Sequence, residues 1–159
     1  MNDPTTRSII GEIEDLMKGQ KLAALSTEGE MGPYVNIVSF TFTSDLKNVL
    51  FATTRATRKY SNLSSHNMVS LLIDNRTNTV DDLFRAKALT IIGSSRELED
   101  KEKEKAVTLM KDRHPYLHDF LDSPSSATII VRVHRYILVN NFQNVREVIF
   151  HDENDNTSI

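Results

Sequence analysis

Three stretches with β-strand character follow one another between Leu22 and Thr53, separated only by turns. They are Leu22–Thr27 (LAALST), Tyr34–Thr43 (YVNIVSFTFT) and Val49–Thr53 (VLFAT). The linkers are Glu28–Gly32, which holds two glycines, and the polar Ser44–Asn48. Parallel neighbours need a crossover of roughly a dozen residues or more. No such crossover fits here, so the spacing predicts an antiparallel meander. In the middle strand Tyr34, Asn36, Val38, Phe40 and Phe42 share one face, and Val35, Ile37, Ser39 and Thr41 share the other. Both faces carry apolar groups, which predicts a strand covered on both sides.

The rest of the chain supplies helices and further strands. Ile9, Ile10, Ile13, Leu16 and Met17 form one apolar stripe ahead of Gly19, as in an amphipathic helix. Thr57–Ser65 reads as a short helix capped by Thr57, with Tyr60 and Leu63 facing inward. Val69–Asp74 and Ala88–Ser94 read as strands, with a loop at Asn75–Thr79. Glu99–Arg113 reads as a helix with Val107 and Met110 inward, and its charge run (ELEDKEKEK) reads as a solvated face. His114-Pro115 ends it, and Tyr116–Leu121 reads as a further helical turn or two. Ala127–Phe142 is the last β stretch, with Ile129, Val131 and Val133 on one side and Arg132, His134 and Tyr136 on the other. The element order predicts a mainly β, α+β architecture: an antiparallel barrel of about six strands, with an N-terminal helix and inserted helices. Residues 1–150 are expected to form one domain, and 151–159 a polar tail.

Composition narrows the chemistry. The chain has 159 residues, no cysteine and a formal net charge of -3. Disulfides, thiol nucleophiles and thiolate metal sites are excluded, so redox chemistry has to come from a bound cofactor. The slight acidic surplus argues against nucleic acid as a partner. No stretch has the apolar length needed to span a bilayer, and no secretory segment is visible, so a cytoplasmic protein is expected.

One segment concentrates ligand-binding groups. Phe51–Lys59 (FATTRATRK) places three threonines, two arginines and a lysine between a strand and a helix start. Hydroxyls, a guanidinium, an ammonium and free helix N–H groups are the donors a phosphate needs. A solvated basic loop has the same composition, and the spacing alone does not decide between the two. His114 and His118 are four apart, but Pro115 interrupts their helical face, so no metal site is expected there. The five glycines form neither a phosphate-binding P-loop nor a dinucleotide fingerprint, and no Gly-x-Ser-x-Gly elbow is present.

Taken in order, these pieces resemble the pyridoxamine 5'-phosphate oxidase-like FMN-binding split-barrel family. An N-terminal helix leads into LAALSTEGEMGPYVNIVSF, then VLFATTRATRKYSNLSSHNMVSLLI, then ALTIIGSSREL. The resemblance runs from Leu16 to Glu97 and more loosely through Phe142. It implies a homodimer of six-stranded split barrels with FMN in clefts at the interface. By the same resemblance Asn36, Ile37, Val38 and Ser39 would run along the flavin, with Val38 and Ser39 offering backbone groups to the ring. Ala52, Thr53 and Thr54 would follow the third strand into the site, and Thr57, Arg58 and Lys59 would hold the phosphate. Arg76, in the loop before DDLFRAK, would approach the cofactor.

The chain also departs from the oxidases proper. It has Asn36 where they carry an arginine and Ala88 where they carry a glutamine, and their C-terminal tryptophan and arginine have no counterpart. Oxidation of pyridoxamine phosphate itself is therefore not expected. The resemblance implies an FMN-dependent oxidoreductase passing hydride or electrons to or from a small substrate, with no side chain required as acid or base. Two other readings remain: a non-catalytic flavin-binding protein, and a haem-binding relative with His134 or His66 as axial ligand.

Overall fold

A computed structural model describes residues 4–141 and 143–150. The expected polar tail at 151–159 lies outside the described residues, as does the Phe142 end of the last β stretch.

The meander forms as its spacing requires. Strands β1 (Leu22–Gly29), β2 (Gly32–Phe42) and β3 (Asn48–Thr54) pair antiparallel in sequence order. Helix α2 (Arg58–Ser65) leads to β4 (Met68–Asp74), which pairs with β1 on its free side. A short helix α3 (Asp82–Arg85) precedes β5 (Ala88–Glu97). Helices α4 (Asp100–Arg113) and α5 (His118–Asp122) precede the long strand β6 (Ser126–Asn140). β6 pairs with β5 on one side and β3 on the other, which closes six strands into a barrel. Closure leaves no open sheet edge along those pairings.

A seventh strand, β7 (Asn144–Ile149), continues the sheet beside β6. The sequence reading ended the β region at Phe142 and did not anticipate it. NVREVI carries charges at its centre, and its alternation is too short to stand out from a tail.

The faces of β6 also differ from the sequence reading. Val131 and Val133 are buried as expected, but beyond them the buried positions are Tyr136 and Leu138. The register with β5 shifts at this point: Ile92 faces Arg135, while Gly93 faces Val133. His134 is the extra residue of a β-bulge, and one inserted residue moves everything after it to the opposite face. Tyr136 is thereby fully buried rather than grouped with Arg132 and His134, and its hydroxyl donates to the Leu46 carbonyl at 2.8 Å.

Helix α1 (Pro4–Gly19) closes the barrel, with Ile9, Ile13, Leu16 and Met17 joining one core with Leu25, Phe40, Phe51, Leu71 and Ile91. Glu12 fastens the helix to Lys87 at 3.0 Å and to Arg146 of β7 at 2.8 Å. The Arg146 guanidinium, with Lys87 beside it, holds the Glu12 carboxyl down at about 2. A second, smaller core lies outside the barrel wall. There Ala106 and Met110 of α4 and Leu121 of α5 cover Leu50 and Ile130.

Among the described residues nothing packs over the opposite outer face. Ile37, Ala24 and Leu72 are register partners across β2, β1 and β4 and so share a face, as do Val35, Ser26 and Ser70. Val35 is 60% exposed and Ile37 61%. The two-sided apolar pattern of β2 is therefore real in sequence but covered on only one side by the described residues of the chain.

Candidate functional site

The end of β3, the loop after it and the start of α2 form one wall of a cleft. Thr57 caps α2, its hydroxyl accepting from the Tyr60 N–H at 3.4 Å. The same hydroxyl donates to the Thr54 carbonyl at 2.8 Å and lies 3.0 Å from the Thr53 hydroxyl. Threonine suits this position because its short side chain reaches back to the backbone while the cap residue stays extended. The first N–H groups of α2 have no intrahelical acceptor and carry the positive end of the helix dipole.

The adjoining wall is β2, the strand paired with β3. A cleft of about 180 Å³ is lined by Ile37, Val38 and Ser39 from β2, by Ala52, Thr53 and Thr54 from β3, and by Thr57 and Lys59. Eight of the eleven residues expected from the sequence thus meet in one place. Met110, Leu117 and Phe120 complete the floor. The sequence reading did not assign them to the site. Their apolar character is the only sequence signal, because the fold brings α4 and the 117–120 turn together over the cleft.

Lys59 gives the cleft its electrostatic character. Burial alone pushes its ammonium below the ordinary lysine range. Among the described residues no carboxylate is set against it to offset that cost. A desolvated cation beside two threonine hydroxyls and a helix start favours a bound anion.

The remaining three expected residues lie elsewhere. Arg58 stacks over the Tyr34 ring, its guanidinium carbon 5.4 Å from the centroid. It lines a different and larger hollow, about 550 Å³, with Glu28, Glu30, Asn62 and His66. Two carboxylates make that hollow a poor host for phosphate. Asn36 is absent from the cleft lining and keeps a buried side-chain oxygen without a hydrogen-bond partner. Arg76 pairs with Asp74 at 3.2 Å, away from the cleft. Of the histidines, His134 is 3.0 Å from the Ser94 hydroxyl, and His114 donates to the Phe40 carbonyl at 2.7 Å.

The cleft alone is smaller than the ~300–1,000 Å³ of a typical small-molecule site. It opens onto the bare apolar sheet face, and Ile37 belongs to both. No described helix is long and apolar enough to cross a membrane.

Comparison with solved structures places this architecture among known barrels. A haem-binding protein from Mycobacterium smegmatis superposes with a TM-score of 0.74 at 16% identity, covering 84% of this chain and 56% of that one. This chain therefore spans little more than half of that neighbour's length. HutZ, the haem storage protein of Vibrio cholerae, gives 0.67 at 17% identity, covering 87% and 92%. An FAD-binding protein from Mesorhizobium loti gives 0.62 at 11% identity, covering 81% and 90%. At these identities the likeness concerns the fold. A sequence search of curated proteins returns no match. The family model for pyridoxamine 5'-phosphate oxidase matches residues 9–140, which include the barrel from β1 through β6 and every residue lining the cleft. The chain belongs to the pyridoxamine 5'-phosphate oxidase family.

Proposed function

We propose that this protein binds FMN between two copies of itself, with the phosphate against Thr53, Thr57 and Lys59 and the ring along Ile37–Ser39. The observation that carries the reading is Lys59: a partly desolvated ammonium lining the same cleft as the Thr53 and Thr57 hydroxyls, with no carboxylate among the described residues set against it. A phosphate dianion would pair the ammonium, and could accept from the Thr53 hydroxyl in exchange for its contact with Thr57. The family match supports a flavin, and the cleft supports its phosphorylated form. Bound flavin supplies hydride and one-electron transfer. The chain's part is to hold the phosphate, orient the ring and shield it on the Met110–Phe120 side. An oxidoreductase acting on a small substrate or electron donor follows, and no side chain is assigned as acid or base.

Haem is the rival ligand, since two of the neighbours above bind or store it. The chemistry of the cleft favours FMN. Among the described residues no histidine lines it, His134 is engaged with Ser94, and His66 faces the other hollow. Purified protein is expected to show flavin absorbance bands and to release a ligand with the mass of FMN. A Soret band, or a colourless chain that takes up no added FMN, would overturn the proposal. Bleaching of the bound flavin by NADH or NADPH is expected of a reductase. A flavin that stays oxidised with both supports the non-catalytic reading.

The second copy is proposed from the bare sheet face. Leu22, Val35, Ile37 and Leu72 are all exposed on strands whose other side is core. A contiguous apolar face next to an incomplete cleft is what a partner subunit would cover. Leu72→Asp changes this face without touching the cleft lining. The variant is expected to run as a monomer by size exclusion with light scattering, and to bind FMN at least about tenfold more weakly. A variant that remains dimeric with unchanged FMN affinity would contradict this interface.

A further inference from the structure

Arg55 lies in the middle of the basic segment, yet its guanidinium is turned away from the cleft. One terminal nitrogen meets the Glu97 carboxylate. The other donates to the carbonyls of Pro124 at 2.9 Å and Ser126 at 3.3 Å. The Arg55 N–H donates to the Ser125 carbonyl at 3.0 Å. The second oxygen of Glu97 accepts from the Tyr60 hydroxyl at 2.7 Å. Arg55 precedes α2, and Tyr60 stands in its first turn. Thr57 and Lys59 lie between them in sequence. Glu97 itself is fixed at the end of β5, where it pairs with Ile129 of β6.

We propose that Glu97 is a positioning residue that clamps the segment Arg55–Tyr60 at both ends and so sets Thr57 and Lys59 for phosphate. The inference rests on the phosphate reading of the cleft. Residues 55–57 have no place in the strand ladder; apart from Glu97 they are held by the Thr57 turn bonds and by the bonds of Arg55 to the 124–126 carbonyls, none of which reaches the Tyr60 side chain. Each carboxylate oxygen holds a different partner, one on either side of the two binding residues. Fixing the donors before the ligand arrives reduces the ordering cost of binding. The carboxylate also raises the Tyr60 hydroxyl above its ordinary range, as a donated hydrogen bond to Glu97 should.

The clamp is tested by Glu97→Ala, Glu97→Gln and Tyr60→Phe, with FMN and riboflavin affinities measured by flavin fluorescence and folding by thermal melts. Wild-type protein is expected to prefer FMN over riboflavin. Glu97→Ala is expected to lose about tenfold in FMN affinity and less than about twofold in riboflavin affinity. Glu97→Gln, which keeps a carbonyl acceptor, is expected to recover part of that loss. Tyr60→Phe is expected to lose about threefold for FMN only. A folded Glu97→Ala with the wild-type FMN-to-riboflavin ratio would overturn the clamp, as would an equal loss for both ligands. If that variant does not fold, a wild-type ratio in both Glu97→Gln and Tyr60→Phe overturns it instead. A wild-type protein with no preference for FMN overturns the phosphate reading and the clamp together, so the two failures are distinct.

Discussion

Lys59→Ala is expected to weaken FMN binding by about ten- to a hundredfold, with riboflavin binding changed by less than about twofold. The range follows from removing one charge-assisted hydrogen bond, roughly 1.5–3 kcal/mol when the partner is an ion. Riboflavin lacks the phosphate and so does not meet the ammonium. Arg58→Ala is expected to have a much smaller effect on either ligand, because Arg58 stacks on Tyr34 and lines the other hollow. A larger loss at Arg58 than at Lys59 would contradict the placement. The pH dependence has a defined sign. The second ionisation of a phosphate monoester falls near pH 6, so the preference for FMN should rise through that region. It should fall again as Lys59 deprotonates, below the usual lysine value of 10.5 because burial lowers it.

Gly93→Ala is expected to cost several kcal/mol of stability, about 3 or more, without touching the cleft. A Cβ at Gly93 would lie 2.3 Å from the Arg132 carbonyl oxygen and 2.7 Å from a methyl carbon of Val131. The first obstacle is backbone and cannot rotate aside. Gly93 sits where the β5–β6 register shifts, so relieving the clash means undoing the bulge that turns Tyr136 inward. For a chain of this size the melting temperature should fall by about 6–12 °C. Gly11→Ala is the control. It lies inside α1 with nothing within 4 Å of the new methyl group, and should stabilise by about 0.5–1 kcal/mol. Equal melting temperatures for Gly93→Ala and wild type would contradict the bulge as described.

The contrast between the strands shows what was legible in the sequence. The β1–β3 meander and the strands Val69–Asp74 and Ala88–Ser94 follow from local alternation and turn length, and they form where expected. The β6 bulge is different, because it depends on what lies opposite. The trace it leaves is a broken period: Val131 and Val133 are buried, then Tyr136 and Leu138. In the site, FATTRATRK stands out in the sequence as a candidate phosphate segment because donor types cluster there. The direction of each cation does not. Successive helical residues point about 100° apart, and of Arg58 and Lys59 only Lys59 lines the cleft. Packing against Tyr34 decides which one does. Arg55 was unreadable for another reason: its partners Glu97, Pro124 and Ser126 are distant in sequence. The apolar outer positions Val35 and Ile37 were visible from the start, and their bareness in one chain is information only the fold supplies.

The placement proposed for the FMN phosphate is against Thr53, Thr57 and Lys59. A crystal structure of the full chain with FMN tests it most directly. The account predicts phosphate oxygens within hydrogen-bond distance of the Thr57 hydroxyl and the Lys59 ammonium, the ring along Ile37–Ser39, and a second copy of the chain over the Val35–Ile37 face. A phosphate seated instead in the Arg58–His66 hollow, or a flavin bound with Lys59 still facing no anion, would contradict it.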